Sequence, residues 1–178
     1  RWMNCTDGAA AELDGVAFAH FPGDEETRKR ADAFAQHTGI SMGSRQAEDL
    51  LQANSLLAAP QPEPVFDGDA AARVTRALSP HLDTRHLHLC ASGMNAFAAA
   101  LEACRAVQAP RGRGIFLQLG WLYLDTQETL NKFLRPGERV VTHFDVHDRS
   151  GIEAFFAEHG ADLAAIVTEL PTNPLIRF

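Results

Sequence analysis

The sequence predicts an α/β protein with a mostly parallel sheet flanked by helices in three layers. Two observations lead to this class. From residue 85 onward, short apolar runs typical of strands alternate with amphipathic segments of helical length. The order is strand, helix, strand, helix, strand, helix, strand, and such alternation builds parallel sheets because each helix carries the chain back across the sheet.

Residues 1–58 are predicted to form a helical N-terminal layer. Within it, residues 23–39 place acidic side chains in the first turn, basic ones after them, and Gly39 at the end, as helices commonly do. Residues 59–72 are expected to form a linker or arm, because the prolines in this segment cannot continue a helix. A helix is also expected from residue 70 to near Pro80.

The alternating elements after residue 85 follow from the periodicity of their apolar positions. The expected strands are HLHLCA (86–91), GIFLQLG (114–120), RVVTHFD (139–145) and LAAIVTEL (163–170). The expected helices are 94–107, 125–135 and 149–160. In open α/β sheets ligands gather at the carboxyl ends of the strands, so the residues just after each run are the candidates for a site.

Composition excludes several classes of function. The 178-residue chain is 46% hydrophobic with a formal net charge of −7 and has no Lys- or Arg-rich run, so neither nucleic acid nor an anionic membrane is an expected partner. No apolar run has the length of a membrane span and the start lacks a signal-peptide layout, which predicts a cytoplasmic protein. Arg1 at the start and a strand-to-loop passage at the end suggest a piece of a longer protein.

The cysteines point to the same compartment. Cys5, Cys90 and Cys104 are odd in number and far apart, with no C-x-x-C pair. This argues against a disulfide framework and a zinc site, and it favours a reducing compartment. Cys90 and Cys104 sit in apolar runs, so we interpret the cysteines as core residues.

Ser92, Gly93 and Met94 stand where the first expected strand passes into its helix. The first amides of a helix have no intrahelical partner and lie at the positive end of the helix dipole, so an anion such as a phosphate fits there. The alternative is a plain N-cap with a glycine in a tight turn. The segment is neither G-x-G-x-x-G nor a Walker loop, so it predicts no dinucleotide or ATP site.

Other candidates follow the later strands. Trp121 and Tyr123 are placed to stack on a planar ligand, or alternatively to pack a loop against the sheet. Thr172 and Asn173 lie in a turn bracketed by prolines. The turn either presents both residues rigidly to the same edge of the sheet or is an ordinary turn. The histidines and aspartate of THFDVH (142–147) are interpreted as a polar strand end, with a metal site as the less favoured alternative, and no metal is expected.

Taken in order, ASGMNA, Tyr123 in WLYLDT, and TELPTNPL resemble the cysteine/methionine-metabolism family of pyridoxal-phosphate enzymes of fold type I, nearest to its cystathionine γ-synthase members. The resemblance covers residues 73–178, which would be part of the cofactor domain. It implies that Ser92, Gly93 and Met94 bind the pyridoxal 5'-phosphate, with the amides of Gly93 and Met94 on its phosphate. It also implies that Tyr123 stacks on the ring and assists proton transfer, and that Asn173 bonds the phenolic oxygen.

The resemblance further implies the reaction. The expected activity is γ-replacement on an activated homoserine ester by a thiol such as cysteine, in a homotetramer acting on small amino acids. Cystathionine γ-lyase, a homoserine-ester sulfhydrylase and methionine γ-lyase are the alternatives. The family's Schiff-base lysine and its pyridine-pairing aspartate lie downstream of residue 178, so this chain by itself is expected to be inactive. Leu124 and Asp125 replace two family glycines.

Two readings from other classes stay open. A nucleotide-binding α/β domain would share the same alternation but would need a glycine-rich first loop, which this sequence lacks. A catalytically silent interaction module descended from the enzyme fold is the other.

Overall fold

The computed structural model describes residues 8–13, 15–21, 23–59 and 66–171. They form two compact units. The first unit contains the described residues of 23–40 and 92–171, and the second contains those of 8–21 and 41–91. None of the described helices is both long enough and apolar enough to cross a membrane. The domain limits at residues 58 and 73 stay a prediction, and Cys5, Thr172 and Asn173 lie outside the described residues.

The second unit contains a β-hairpin that the sequence did not predict. Strand β1 (Ala9–Leu13) pairs antiparallel with β2 (Val16–His20), and Ala9 lies opposite His20. Gly15, in the tight turn between them, has a φ of 76°, which favours glycine. The helical N-terminal layer expected over residues 1–58 is therefore interrupted by this hairpin.

Two helices of the second unit agree with the sequence. Helix α2 (Ser44–Ala53) lies in the range with helical signals, and α3 (Ala70–Leu78) ends two residues before Pro80. The side chain of Asp69 caps α3 by accepting a hydrogen bond of 2.9 Å from the Ala72 amide. Both helices lack fully buried residues.

The first expected strand does not form. Residues 84–86 make a short 3-10 turn, and Leu87 to Cys90 have no regular secondary structure. A strand is stable when its backbone groups pair with a neighbouring strand, and none of the described strands pairs with this segment. Leu89 is accordingly exposed, and so is Cys90, which corrects its interpretation as a core residue.

The first unit contains the parallel sheet, which confirms the α/β class. Its strands are β3 (Ile115–Leu119), β4 (Arg139–His143) and β5 (Leu163–Val167), in the order β4-β3-β5. Both pairings are parallel: Phe116 of β3 lies opposite Val140 of β4 and Ala165 of β5. Strand β3 is the central one, and its residues Ile115 to Gln118 are all buried.

Four helices complete this unit. They are α1 (Glu25–Thr38), α4 (Gly93–Gln108), α5 (Leu124–Lys132) and α6 (Arg149–His159). The last three agree with the helices expected after residue 85, within a few residues at each end. Helix α1 ends at Gly39, as predicted. The φ of Gly39 is 60°, which is the left-handed backbone conformation that commonly ends a helix.

The core of the unit lies between the sheet and its helices. Its buried residues come from α4, β3, the loop after β3, α5 and β5: Leu101, Phe116, Leu122, Leu130 and Ala164. Cys104 of α4 is half-buried beside this core, and its thiol donates to the Ala164 carbonyl at 3.3 Å. Burial of such apolar side chains stabilises the unit by about 25 cal/mol per Å² removed from water.

Candidate functional site

The direction of α4 brings its first turn to the carboxyl edge of the sheet. Near its end, Cys104 contacts Ala164 at the start of β5. Near its beginning, Phe97 lines a groove together with Val167 and Thr168 at the end of β5. The helix therefore runs antiparallel to β5, and its N-terminus lies at the edge where open α/β sheets bind ligands.

The first turn of α4 is open to an anion. Ser92 is the N-cap residue, and its Oγ accepts the Asn95 amide at 3.1 Å. Among the described residues, no group accepts the amides of Gly93 and Met94. A Cβ added at Gly93 would have no atom within 4 Å, so the space beside Gly93 is open. A phosphate fits this position by charge, by hydrogen bonding and by room.

The end of α1 covers another side of the same turn. A Cβ added at Gly39 would lie 2.3 Å from Ser92 Oγ and 2.6 Å from the Asn95 amide. The Asn95 side chain also donates to the Thr38 carbonyl at 3.4 Å. Gly39 therefore packs directly against the cap of α4 and fixes where Ser92 lies, while the face at Gly93 stays accessible.

Tyr123 is held at the start of α5 by two carboxylates. Its amide donates to Glu169 Oε2 at 2.9 Å, and its hydroxyl donates to Asp125 Oδ2 at 3.1 Å. The hydrogen bond to Asp125 and the negative charge of that carboxylate raise the pKa of Tyr123 above its ordinary value. Tyr123 as a whole is 47% exposed. Tyr123 is thus an accessible group that keeps its proton over an extended pH range.

The contact between Tyr123 and Glu169 spans the neighbouring strands β3 and β5. Glu169 follows β5 and Tyr123 follows β3. The chain passes from β3 to β4 on one side and then crosses to β5 on the other, so the strand order reverses at β3. Ligands in open α/β sheets bind where this reversal occurs. The residues after β3 and β5 therefore lie where a ligand site is expected from topology alone.

Trp121 packs differently from Tyr123. Its ring lies against Phe144, with the centroids 4.6 Å apart and an angle of 32° between the planes. Phe144 follows β4, so the pair joins the loops after β3 and β4. Packing of the loop, rather than stacking on a ligand, therefore accounts for the position of Trp121.

The polar end of β4 is organised by hydrogen bonds. The His147 amide donates to Asp145 Oδ1 at 2.9 Å, and His143 Nε2 lies 3.5 Å from Asp148 Oδ2. In the part of the chain that the structure describes, no group of three His, Cys, Asp or Glu side chains has the arrangement of a metal site.

A polar cluster around the buried His37, beside Tyr123, was not predicted from the sequence. Asp125 Oδ1 accepts Gln36 Nε2 at 3.0 Å and lies 3.7 Å from His37 Nδ1. His37 Nε2 lies 3.0 Å from Lys132 Nζ, and Thr129 Oγ1 donates to the His37 carbonyl at 3.0 Å. Gln36 and Asp125 are 89 positions apart, so no local pattern in the sequence could reveal the cluster.

Of the predicted site residues, Ser92, Gly93, Met94 and Tyr123 all lie at the carboxyl edge of the sheet. Asn173 is outside the described residues. Their binding of a cofactor stays a prediction.

The chain is similar to the L-2-amino-4-chloropent-4-enoate dechlorinase/desaturase of Streptantibioticus cattleyicolor. The sequences are 37% identical over 173 residues, which cover 96% of this chain and 34% of the relative. The chain thus spans about a third of the length of the curated relative it matches. No family model matches the chain, and no solved structure matches it.

Proposed function

We propose that this chain is part of a pyridoxal-phosphate enzyme of fold type I that removes or replaces the γ-substituent of an α-amino acid. The observation that carries the proposal is the first turn of α4 at the carboxyl edge that Tyr123 also occupies, where the amides of Gly93 and Met94 have no acceptor among the described residues. The similarity to an amino-acid dechlorinase supports it independently.

The name of the relative indicates where the leaving group is. In 2-amino-4-chloropent-4-enoate the chlorine is on C4, which is the γ carbon of the amino acid. The family resemblance also implies chemistry at the γ carbon. We therefore favour elimination from this carbon, with γ-replacement on a homoserine ester by cysteine, as in cystathionine γ-synthase, as the second candidate.

The residues of this chain would have separate roles. The amides of Gly93 and Met94 hold the phosphate, and Ser92 keeps the turn capped. Tyr123 remains protonated beside Asp125, and it can assist proton transfer by exchanging its hydrogen bond to Asp125 for one to a group in the site. Asn173 is proposed to contact the phenolic oxygen. When bound, the cofactor supplies an electron sink that stabilises a carbanion next to the amino group.

Neither lysine of the chain is assigned the covalent role. Lys29 is exposed and pairs with Glu25 at 2.7 Å. Lys132 contacts Glu128 at 2.9 Å and His37 at 3.0 Å. The lysine that binds the cofactor belongs, in this proposal, to the remainder of the parent protein, which we propose to be a homo-oligomer in the cytoplasm.

The phosphate site can be tested with pyridoxine 5'-phosphate, which lacks the aldehyde and so forms no imine with surface lysines. Calorimetric titration should show that the 178-residue chain binds it, and that pyridoxine without the phosphate binds at least about tenfold more weakly. Gly93→Leu should abolish the preference, because the leucine side chain would occupy the open space beside Gly93 in the first turn of α4.

Gly43→Leu is the matched control. Gly43 also stands at the start of a helix, and a Cβ there would have no atom within 4 Å either. This variant should bind as the wild type does. Equal binding by the Gly93 and Gly43 variants would contradict a phosphate site at α4.

The reaction itself is tested on the parent protein. Purified parent should carry a visible absorbance band of the bound cofactor that borohydride abolishes. It should release chloride from 2-amino-4-chloropent-4-enoate faster than it forms cystathionine from a homoserine ester and cysteine. A colourless parent that turns over neither substrate would instead favour a catalytically silent interaction module.

A further inference from the structure

His37 is a buried titratable group that the proposed mechanism does not use. It lies in the last turn of α1, its side chain is 3% exposed, and Nδ1 has no hydrogen-bond partner among the described residues. An unpartnered polar atom in such a position is costly unless a neighbouring charge compensates for it. The Asp125 carboxylate lies 3.7 Å from this Nδ1.

Lys132 determines which ring nitrogen of His37 carries the proton. Its ammonium group can only donate hydrogen bonds, and it lies 3.0 Å from Nε2. Nε2 must therefore be the acceptor, which leaves the proton on Nδ1. Glu128, 2.9 Å from the same ammonium, keeps Lys132 in place. The N–H group of His37 thus faces the carboxylate that also binds Tyr123.

The two oxygens of Asp125 are divided between different partners. Oδ2 accepts the Tyr123 hydroxyl, while Oδ1 faces Gln36 Nε2 at 3.0 Å and His37 Nδ1 at 3.7 Å. The distance to His37 is longer than a hydrogen bond, so in this state the contact is electrostatic. Contacts of catalytic groups are often long without ligand and shorten in the complex.

We propose that His37 is a positioning residue for Tyr123: its Nδ1–H group holds the Asp125 carboxylate in the orientation in which Oδ2 accepts the Tyr123 hydroxyl. The order of contacts is Lys132, His37, Asp125 and Tyr123. Without His37, only the exposed Gln36 side chain among the described residues holds Oδ1, so the carboxylate turns more easily and the exposed phenol hydrogen-bonds to water instead. The importance of this chain of contacts for catalysis rests on the proposed function of Tyr123.

Packing is the competing explanation for a buried histidine. The His37 ring meets Phe133 edge-on, with the centroids 6.2 Å apart, and its carbonyl accepts Thr129 Oγ1. If His37 only fills space, the identity of the nitrogen that faces Asp125 should not matter. A pair of variants that keeps one nitrogen position or the other separates the two explanations.

The chain provides its own probe, because Tyr123 is its single tyrosine. The ultraviolet absorbance of tyrosinate therefore reports the pKa of Tyr123 alone. Asp125→Asn should lower this pKa toward the ordinary value, because it removes the charged acceptor of the Tyr123 hydroxyl. This variant defines the full extent of the Asp125 effect.

His37→Asn and His37→Gln are the matched pair. The side-chain nitrogen of asparagine can stand where Nδ1 stands, and that of glutamine where Nε2 stands. We expect His37→Asn to keep the raised pKa of Tyr123 and His37→Gln to lose most of the difference between the wild type and Asp125→Asn. The proposal is overturned if the two variants give the same pKa, or if His37→Gln leaves it unchanged or raises it.

Nitrogen NMR of the wild type gives a measurement that needs no variant in this cluster to fold. The His37 imidazole should be the tautomer with a protonated Nδ1 and an unprotonated Nε2. The opposite tautomer would overturn the proposal, because Nδ1 could then donate nothing to Asp125.

In the parent enzyme, His37→Gln should lower kcat with little change in KM, and His37→Asn should restore it. The tyrosine titration and the NMR measurement require neither cofactor nor substrate. A negative result in these two measurements would contradict the role of His37 but not the phosphate site. Absence of pyridoxine 5'-phosphate binding would contradict the proposed function but not the contact between His37 and Asp125.

Discussion

The guanidinium of Arg105 donates two hydrogen bonds to the carboxylate of Glu138, from Nε at 2.9 Å and from the terminal nitrogen at 2.8 Å. The Arg105 side chain is 1% exposed and the Glu138 side chain 9%. Arg105 also donates to the Phe133 carbonyl at 2.9 Å. This buried pair connects the last turn of α4 with the turn that leads into β4.

Arg105→Met should lower the free energy of unfolding by about 3–5 kcal/mol, because Glu138 would remain buried without its partner. The double variant Arg105→Met, Glu138→Met should recover much of this loss, since no charge is then left unpaired. Urea unfolding of both variants measures the difference. Equal losses in the single and double variants would show that packing, rather than the unpaired charge, dominates.

Gly39→Ala should destabilise the protein more than Gly112→Ala. Both glycines have a positive φ, 60° and 73°, which costs an alanine about 1–2 kcal/mol. At Gly112 the added Cβ has no atom within 4 Å, but at Gly39 it meets Ser92 Oγ at 2.3 Å. The excess, about 1–3 kcal/mol as for other overpacked sites, measures how tightly the cap of α4 is held. Similar losses at both positions would mean that Ser92 moves away freely.

The stabilising effect of Asp148 should depend on pH. Its side chain caps α6 by accepting a hydrogen bond from the Gly151 amide. This hydrogen bond lowers the pKa of Asp148 below the ordinary 3.8, and the Ser150 hydroxyl and the charge of nearby His143 lower it further. A group with a lowered folded pKa stabilises the fold above its unfolded pKa and loses this effect as the pH falls through the folded value. Asp148→Ala should therefore be less stable than the wild type at neutral pH and approach it in acid.

Asp148→Asn is the control for this prediction. Asparagine also caps helices well but has no titrating carboxyl group. Urea unfolding across the acidic range should show a smaller pH dependence for this variant than for the wild type. A wild-type stability curve parallel to that of Asp148→Asn would contradict the assigned cap.

Gln118→Leu should lower the free energy of unfolding by about 1–3 kcal/mol, the cost of leaving buried polar groups unpaired. Gln118 is 0% exposed and donates to the Gly120 carbonyl at 3.2 Å, and it accepts the Thr142 hydroxyl at 3.4 Å. Gln127→Ala, at its more exposed neighbour, should cost less than about 0.5 kcal/mol. Chemical denaturation measures the free energy of unfolding of both variants. If Gln118→Leu unfolds with the same free energy as the wild type, these contacts contribute nothing to stability.

Much of the first unit could be predicted because its apolar positions repeat at the period of the element they form. The runs at β3, β4 and β5 and the helices between them come directly from this pattern. The run at 86–91 has the same alternation, but a strand also needs a partner, and the local sequence does not contain that information. The hairpin was missed for the opposite reason, because Ala-rich β1 has weak strand preference and pairs with β2 all the same.

The candidate site was predictable where function follows from an element boundary. Ser92 and Gly93 lie at a strand-to-helix junction in the pattern, and Tyr123 follows an apolar run. Gln118, Arg105 and His37 could not be found in this way, because polar residues are normally exposed and their burial here depends on partners far along the chain.

The central place of β3 has a consequence for synthesis of the protein on the ribosome. Translation produces β3 first, then β4, which can pair with it at once. The other edge of β3 can be completed only after α6 has been made and β5 has emerged. During this interval the nascent chain presents an unpaired, apolar edge at Phe116 and Leu117, and unpaired strand edges of this kind are prone to aggregation.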